Sequence, residues 1–469
     1  MLGWVWEEFI YMLPVNPKIF KAYDIRGIYQ QDFDDVFAYN LGLAFVELRK
    51  SEVDYRPEKK LKLAVAADMR FSSPALKERL IAGLLAAGAD VIDLGMIATP
   101  TFYFAVGYFK YDGGLMVSAS HNPKEWNGFK LVRDFGIPVS GESGINLLKE
   151  KIVAGKLITA AIPGQLTLNP DALKIELENT LKAVSKNKIK PLKIVIDAAS
   201  GMGSTYLEPL FSELSCQLIP LNFTLDGSFP AHEADPLKEE NMKELGAAVL
   251  DLKADLGIAT DGDGDRVFFV DNSGKTISPA LIRGLLAKIF LKEKPGAKIG
   301  YDARPGKITT DLIKEAGGVA IMTRVGHSLI KEQMLAEDIF FAGESSGHFF
   351  LQGAAGCFEY PGLMIVKLLE YFSSIKESSI NQHLHQYHRY FHSGEINRIV
   401  KDKELVFEKI LKHYPDALIS RLDGLSVTYP NFWFNVRASN TEALIRLNLE
   451  ADSYKTMEEK RDEVLSFIF

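Results

Sequence analysis

Cysteine is scarce in this sequence: two cysteines, Cys216 and Cys357, occur among 469 residues. Two isolated cysteines exclude a disulfide framework and a paired CxxC metal site, and they are typical of a reducing compartment. Long uncharged apolar runs are also absent, and none approaches the roughly 20 residues that a membrane helix needs. We therefore expect a cytoplasmic protein with no membrane partner.

Positive charge is not in excess either, since 54 Lys and Arg residues face 61 Asp and Glu residues and the formal net charge is −7. An acidic protein has no general attraction for a nucleic-acid backbone, so we expect no nucleic-acid partner. The apolar residues 1–13 lack the basic start of a signal peptide and contain two glutamates. We expect them to pack on the first domain, with a subunit contact as the alternative, in a monomer or weak homodimer.

One pattern recurs three times along the chain. Residues 61–96, 192–223 and 297–325 each contain an apolar strand, a turn, a segment with apolar residues at helical spacing, and a second apolar strand. Such βαβ units predict three related α/β domains with mixed, mostly parallel sheets that helices cover on both faces. Ligands bind beyond the carboxyl ends of such strands, so we expect the chemistry in the loops there.

The pattern changes after residue 378, where a helical segment and short alternating apolar runs predict a C-terminal α+β domain. The histidines of residues 383–392 have no carboxylate partner in the segment, so we interpret it as a solvated interdomain helix rather than a metal site. The predicted domains span residues 1–154, 155–275, 276–378 and 379–469.

The first chemical motif is GGLMVSASHNPKEWNGFK, at residues 113–130. An apolar run leads into a polar turn that places Ser120 at a strand end, followed directly by His121, and the motif ends at Lys130. Ser120 is either a turn residue that ends the strand or an exposed nucleophile. The G-x-S-x-G pattern of lipases is absent, so a nucleophile of that kind is not indicated.

The second motif, DGDGDR at residues 261–266, alternates carboxylates with glycines. Asp261, Asp263 and Asp265 can converge on one hard divalent cation because glycine lets the backbone fold closely around it. An EF-hand is disfavoured, since the Gly and Glu that its loop needs at positions six and twelve are missing. A solvated acidic turn is the alternative, but an apolar strand runs directly into the motif. The adjacent Arg266 suggests that phosphate shares the pocket.

The third motif, GESSGH at residues 343–348, also follows an apolar strand. Glu344 and Ser346 can accept and donate hydrogen bonds to the vicinal hydroxyls of a sugar, and His348 can assist proton transfer. An ordinary loop is the alternative interpretation of this segment.

The fourth motif, RASNTE at residues 437–442, lies between two strand-like runs. Arg437 offers a planar fork of donors, and the Ser, Asn and Thr that follow add hydroxyl and amide groups, which suits a phosphate site. A hairpin turn with polar residues is the alternative. Together the four motifs supply a nucleophile, a metal site, a hydroxyl-binding loop and a phosphate-binding turn, which favours phosphoryl transfer on a phosphosugar.

The chain resembles the α-D-phosphohexomutase family, of the phosphomannomutase/phosphoglucomutase type. The resemblance rests on AYDIRG at residues 22–27 and on the four motifs, in the family's order and spacing over essentially the whole length. It implies four domains around a central cleft. It also implies an intramolecular phosphotransferase that interconverts hexose 1-phosphate and hexose 6-phosphate, of mannose, glucose or both. The reaction would proceed through a phosphoserine enzyme and a hexose 1,6-bisphosphate, which serves as intermediate and activator.

The resemblance also implies the roles of individual residues. Ser120 would carry the phosphoryl group and, with Asp261, Asp263 and Asp265, hold one Mg²⁺. The implied catalytic set is Ser120, His121, Arg26, Lys130 and His348. Lys130 and His348 are the candidates for proton transfer, and a salt-bridging role is the alternative for Lys130.

The substrate-binding set that the resemblance implies comes from all four domains. It consists of Tyr23, Arg266, Arg304, His327, Glu344, Ser346, Arg437, Ser439, Asn440 and Thr441. The last-domain turn and Tyr23 would bind the distal phosphate, and Glu344 and Ser346 would bind the sugar's O3 and O4 hydroxyls. His327 matches a specificity-loop position.

Three departures from the family pattern concern the substrate. Ser345 stands where mannose/glucose enzymes commonly have Met and glucosamine enzymes Gln, Arg304 stands where Lys is common, and CFEYPGL replaces a more acidic segment. The form NPKEWNGFK favours the phosphomannomutase/phosphoglucomutase branch. Phosphoglucosamine mutase is the main alternative, followed by a metal-dependent sugar phosphatase and a non-catalytic sugar-phosphate binding protein.

Overall fold

The computed structural model describes residues 15–53, 60–304, 306–400, 402–438 and 444–468. The prediction for residues 1–13 therefore falls outside the described residues. Within these ranges no helix combines the length and the hydropathy of a bilayer span.

The first sheet is mixed and has helices on its faces. Its strands are β1 Ile25–Ile28, β2 Lys62–Ala67, β3 Asp90–Met96, β4 Gly113–Val117, β5 Trp126–Arg133 and β6 Leu166–Leu168, and its helices are α1 Asp35–Glu52, α2 Ser73–Ala86, α3 Thr99–Tyr108 and α4 Asn146–Ala154. In the order β1-β5-β4-β2-β3-β6, β5 pairs antiparallel with both neighbours and the other pairs are parallel. Strand β6 lies beyond residue 154, so this sheet extends past the predicted domain boundary.

The second sheet repeats the central part of the first. Its strands are β7 Lys193–Asp197, β8 Gln217–Leu221, β9 Leu256–Thr260, β10 Val267–Asp271 and β11 Thr276–Ile277, and the accompanying helices are α5 Ala172–Lys182, α6 Gly203–Ser212 and α7 Lys243–Asp251. The order is β11-β10-β9-β7-β8, with β9-β7-β8 parallel and the remaining pairs antiparallel. The edge strand β11 again lies just past the predicted boundary at residue 275.

The third sheet has the same plan. Its strands are β12 Lys298–Asp302, β13 Val319–Thr323, β14 Ile339–Gly343, β15 Phe349–Gly353 and β16 Gly356–Glu359, and its helices are α8 Pro279–Glu293, α9 Lys307–Glu315, α10 His327–Glu337 and α11 Pro361–Ser373. The order β13-β12-β14-β15-β16 is parallel up to β14 and antiparallel beyond it.

The fourth sheet is entirely antiparallel. Its strands are β17 Phe391–His392, β18 Ile396–Ile399, β19 Leu418–Ser420, β20 Leu425–Thr428, β21 Phe432–Ala438 and β22 Leu444–Ala451, and the helices of this region are α12 Ile380–Leu384, α13 Lys403–His413 and α14 Tyr454–Phe467. The order is β17-β22-β21-β20-β19, and β18 also pairs with β22. The predicted fold class is therefore confirmed, with three related mixed α/β domains and a C-terminal α+β domain.

The short helical segments connect these elements. They are Pro17–Ile19, Asp134–Gly136, Gly141–Ile145, Lys186–Lys188, Glu239–Met242 and His385–Tyr387. The helix predicted for the histidine-rich segment is thus short, comprising α12 and the turn after it, and the segment ends in strand β17.

The common plan of the first three sheets brings three motifs to equivalent places. In each sheet the third strand of the parallel group, β4, β9 or β14, turns back into an antiparallel neighbour, β5, β10 or β15. The Ser120 segment, the DGDGDR loop and the GESSGH loop occupy these three turns. Strands β4 and β9 are buried along their whole length, so the polar turns follow directly after apolar segments that pack in the interior.

Candidate active site

Ser120 lies in the turn after β4 with its backbone in the left-handed region, at φ 53°. It is buried. Its backbone N–H donates to Ser118 Oγ at 2.9 Å, and its Oγ donates to Asp261 Oδ2 at 2.8 Å. The sequence-predicted nucleophile and the first predicted metal ligand are therefore in direct contact across two domains.

Arg26 and His121 flank this serine. Arg26 donates to the Ala119 carbonyl at 3.1 Å and to Asn122 Oδ1 at 2.7 Å, while Asp24 pairs with its guanidinium at 2.7 Å. His121 Nδ1 lies 3.3 Å from Ser120 Oγ. Burial and then the nearby cations Arg266 and Arg26 hold the pKa of His121 well below its ordinary value, so the imidazole is neutral.

The three aspartates of the DGDGDR loop are all buried and converge, with one oxygen of each within 4.8 Å of the others. Burial, Asp265 and Asp263 together raise the pKa of Asp261 to about 8, because burial disfavours the charged form and neighbouring carboxylates repel one another strongly where water is excluded. Asp263 Oδ1 is buried without a hydrogen-bond partner. Oxygen ligands of this kind fit a hard divalent cation such as Mg²⁺.

Glycine allows the acidic loop to approach the serine. A Cβ atom on Gly262 would lie 2.5 Å from the Ser120 carbonyl oxygen, which is closer than any ordinary contact. Thr99, at the start of α3, braces the same loop by donating from Oγ1 to Asp263 Oδ2 at 2.6 Å and from its N–H to the Asp263 carbonyl at 3.1 Å.

Lys130 extends from β5 into the acidic cluster. Its Nζ lies 2.6 Å from Asp263 Oδ2 and 2.5 Å from Asp265 Oδ2. Burial would lower the pKa of this amine, but the two aspartates overcome that effect and hold it well above its ordinary value. The geometry therefore keeps Lys130 as a cation, which is the salt-bridging alternative for this residue.

The GESSGH loop forms a compact hydrogen-bonded group. Ser346 Oγ donates to Glu344 Oε2 at 2.7 Å, and His348 Nδ1 lies 3.0 Å from the same oxygen. His348 Nε2 lies 3.2 Å from Asp265 Oδ1. Burial opposes protonation of His348, but Asp265 and Glu344 raise its pKa to about 9, so the ring is a doubly protonated imidazolium at neutral pH.

Two arginines complete this part of the site. Arg266 donates from its backbone N–H to Asp261 Oδ1 at 3.2 Å, and its Nε lies 3.7 Å from Asp261 Oδ2. Arg304 donates to Asp302 at 2.7 Å and to Glu344 Oε1 at 2.9 Å. The hydroxyl of Ser345, the residue that departs from the family pattern, donates to Asp302 at 2.9 Å and so supports the Arg304 loop.

A basic cavity of about 350 Å³ opens between the first, third and fourth domains. Arg437 of β21 lines it together with Tyr23, and so do Arg324 and Arg446, which the sequence did not indicate. Arg437 faces Asp423 at 3.8 Å, and Tyr23 OH donates to the Val325 carbonyl at 3.2 Å. The predictions for Ser439, Asn440 and Thr441 fall outside the described residues.

His327 is the first residue of helix α10 and lies between the basic cavity and the GESSGH loop. Its ring centroid is 5.8 Å from that of Tyr23 and 6.0 Å from that of His348. Both ring nitrogens are buried without a hydrogen-bond partner. Burial and the cation Lys331 hold its pKa well below the ordinary value, so His327 offers a neutral imidazole.

The sequence did not indicate Arg70, although it follows the carboxyl end of β2, where the strand rule expects functional groups. Arg324 could have been found in the same way, because it follows the end of β13. Arg446 lies within β22, where no turn or glycine marks it. The remaining predicted residues within the described ranges lie around Ser120 and the acidic loop, around the GESSGH loop, or in the basic cavity.

Comparison with known proteins gives a consistent result along the chain. Models of phosphoglucomutase/phosphomannomutase alpha/beta/alpha domains I, II and III match residues 17–156, 176–274 and 279–390, and the model of the C-terminal domain matches residues 395–466.

Individual relatives match over nearly their full length. Phosphomannomutase of Methanocaldococcus jannaschii is 40% identical, over 96% of this chain and 97% of that protein. Phosphomannomutase of Vibrio cholerae is 37% identical, over 96% and 98%. The solved structure of a phosphoglucomutase/phosphomannomutase family protein from Burkholderia thailandensis superposes with a TM-score of 0.86 at 30% identity, covering 97% of each chain.

Proposed function

Since the chain belongs to the phosphoglucomutase/phosphomannomutase family, whose members are isomerases that interconvert hexose 1- and 6-phosphates, we propose that its substrate is mannose phosphate and that Ser120 is the phosphoryl carrier. The observation that carries the proposal is the 2.8 Å contact of Ser120 Oγ with Asp261 Oδ2 inside the acidic loop. Phosphomannomutase relatives at 37–40% identity support mannose over glucosamine.

Ser120, Asp261, Asp263 and Asp265 are the residues that would hold Mg²⁺. When bound, this ion would neutralise charge on the transferring phosphoryl oxygens. Lys130 and Arg266 add fixed positive charge on the protein side, because both lie against the aspartates. Such prearranged charge stabilises a phosphoryl group in transfer without any movement of the site.

Two histidines serve different ends of the proton transfer. The neutral His121 lies 3.3 Å from Ser120 Oγ and can accept the proton of that hydroxyl or return it. His348 of the sugar-binding loop is protonated on both ring nitrogens, with Nε2 facing Asp265 and Nδ1 facing Glu344, and it can exchange a proton with the reacting sugar hydroxyl. Lys130, whose amine stays charged, contributes electrostatically.

The substrate's two ends are bound in different regions. Arg437 and Tyr23 would bind the phosphate that does not react, in the basic cavity, and Glu344 and Ser346 would bind the ring hydroxyls. The neutral ring of His327, whose nitrogens have no hydrogen-bond partner, is available for a further sugar contact. The same basic cavity binds the non-reacting phosphate in both halves of the reaction if the 1,6-bisphosphate reorients before its second phosphate is transferred to Ser120.

The assay that tests the proposal incubates the protein with Mg²⁺, a trace of mannose 1,6-bisphosphate and mannose 1-phosphate, and follows ³¹P signals. We expect mannose 6-phosphate to form without net release of inorganic phosphate. Parallel reactions with glucose and glucosamine 1-phosphates rank the substrates. Phosphate release without isomer formation would instead indicate a phosphatase. Binding without turnover would indicate a non-catalytic protein. Faster turnover of glucosamine 1-phosphate would indicate the phosphoglucosamine mutase alternative.

We also propose a reducing, cytoplasmic setting. Both cysteines are buried and free, which supports this assignment. Blocking disulfide formation during purification should leave activity unchanged.

A further inference from the structure

Arg70 is completely buried below the Ser120 turn and binds its backbone. Its guanidinium donates to the carbonyl oxygens of Ser120 at 2.6 Å and Asn122 at 2.7 Å through Nη2. Through Nη1 it donates to those of Pro123 at 2.8 Å and Trp126 at 3.0 Å. One side chain therefore holds four carbonyls of the segment that runs from the serine to strand β5.

The conformation of this turn requires such a donor. Ser120 adopts φ 53°, a strained conformation for a non-glycine residue that persists only where its surroundings enforce it. The four carbonyl dipoles also converge on one buried point, where they would repel one another without a cation. A guanidinium suits the position because it directs several coplanar donors at fixed angles, which a lysine ammonium does not.

The second domain closes over Arg70. The ring centroid of Phe229 lies 5.1 Å from the guanidinium carbon. A Cβ on Gly227 would lie 3.0 Å from the Arg70 Cα, so the loop rests directly on the Arg70 backbone. Asp68 Oδ2 lies 3.2 Å from Arg70 Nε and balances its charge. Arg70 and its contacts thus join the serine turn of the first domain to a loop of the second.

We propose that Arg70 is a positioning residue that sets the left-handed geometry of Ser120, and that Phe229 completes this function by covering the guanidinium from the second domain. The inference rests on the proposed role of Ser120. Arg70 does not reach the substrate in this arrangement, since its polar hydrogens point to the turn carbonyls. It therefore affects the rate at which Ser120 gives and takes the phosphoryl group, and leaves sugar-phosphate binding largely unchanged.

The test compares Arg70→Lys with wild type and with Arg79→Lys as the matched control, because Arg79 lies on α2 of the same domain and stacks on Tyr39. We expect Arg70→Lys to lower kcat and the rate of Ser120 phosphorylation by mannose 1,6-bisphosphate about 100-fold, with KM within about twofold. Phe229→Leu should give a smaller fall of about fivefold, since it removes the cation–π contact and keeps the arginine.

Amide hydrogen exchange of residues 119–127, measured without substrate, reads the turn directly. We expect faster exchange in Arg70→Lys and Phe229→Leu and no change in Arg79→Lys. If Arg70→Lys does not fold, Phe229→Leu decides the matter with the same readouts.

Unchanged exchange together with unchanged kcat would overturn the inference, and so would a KM increase as large as the kcat decrease. If the wild-type protein shows no mutase turnover, the proposed function is refuted. Faster amide exchange in Arg70→Lys would in that case still support the structural role of Arg70.

Discussion

At the residue scale, the hydroxyl of Ser120 has a partner that no surface serine would have. Its Oγ donates to a buried carboxylate of another domain, and Lys130, Arg266 and His348 supply counter-charge to the cluster to which this carboxylate belongs. Burial and the left-handed backbone both cost free energy that a simple turn residue would avoid, which supports the proposed role of Ser120 as the phosphoryl carrier.

Replacing Ser120 with alanine tests this assignment. We expect Ser120→Ala to lose phosphoenzyme formation and to fall below about one thousandth of wild-type turnover, because the hydroxyl that lies against both Asp261 and His121 is removed. Intact-protein mass after incubation with mannose 1,6-bisphosphate measures the first quantity. Ser51→Ala, at the exposed end of α1, is the control and should behave as wild type. Persistent phosphorylation in Ser120→Ala would place the carrier elsewhere.

Gly262 gives a prediction that depends on space alone. Alanine there would place a Cβ 2.5 Å from the Ser120 carbonyl oxygen, so Gly262→Ala must separate the acidic loop from the serine turn. We expect a loss of about 1–3 kcal/mol in the free energy of unfolding and a large fall in kcat. Gly353→Ala is the matched control, because its Cβ would meet nothing within 4 Å. Equal denaturation midpoints for the two variants would contradict this account.

At the element scale, helix α5 lies between domains and buries a carboxyl group. Glu176 points inward, Oε2 has no hydrogen-bond partner, and burial raises its pKa to about 7. Helix α5 packs against α3 of the first domain, α6 of the second and α11 of the third. The charge state of one side chain therefore bears on the junction of three domains.

The pH dependence of stability follows from that shift. Between the ordinary glutamate pKa of 4.5 and the folded value of about 7, the unfolded chain releases the proton and the folded chain keeps it, so stability falls as pH rises. Glu176→Gln should therefore gain on the order of 2 kcal/mol relative to wild type between pH 5 and pH 8. Urea unfolding at the two pH values measures this gain. The exposed Glu178→Gln, on the same helix, should show none.

The elements also show how far periodicity carries a prediction. The three βαβ repeats correspond to β2-α2-β3, β7-α6-β8 and β12-α9-β13, as the apolar spacing predicted. The antiparallel partners β5, β10 and β15 and the edge strand β6 did not follow from spacing, because pairing between distant segments depends on how the sheet assembles. We propose that the first domain ends after β6, at residue 168, rather than at residue 154.

At the scale of the whole molecule, the first three domains and the fourth are joined differently. One apolar cluster extends through the first, second and third domains and includes Ile380, Leu384 and Tyr387 of the segment around α12, whereas the residues from Val400 onward have a cluster of their own. Polar contacts join the fourth domain to the third. Glu450 Oε2 accepts from the N–H groups of Gly306 and Lys307 at 3.1 and 2.8 Å, at the start of α9, and from Trp433 Nε1 at 2.8 Å.

Removing this carboxylate should loosen the fourth domain. Glu450→Ala leaves three donors without partners, and we expect a loss of about 3 kcal/mol in stability and a raised KM, because Arg437 is no longer held opposite the third domain. Glu450→Gln keeps an accepting oxygen and should recover most of the loss. Glu459→Ala, exposed on α14, is the control. Thermal unfolding measures the loss of stability, and initial rates measure the KM. A destabilised Glu450→Ala with an unchanged KM would show that Glu450 stabilises the domain contact but does not position Arg437.

The sequence by itself determined the repeated α/β units, the α+β character of the last domain, the identity of the motif residues and the family. These features depend on local periodicity and short motifs, which can be recognised in the sequence alone. Tertiary structure decided which groups meet. Ser120 and Asp261 are 141 positions apart, and Arg70 lies 50 positions before the serine whose carbonyl it binds. The left-handed backbone of Ser120, the charged state of Lys130 and the arginines beside Arg437 all arise from burial and from charges that only the packed domains bring together.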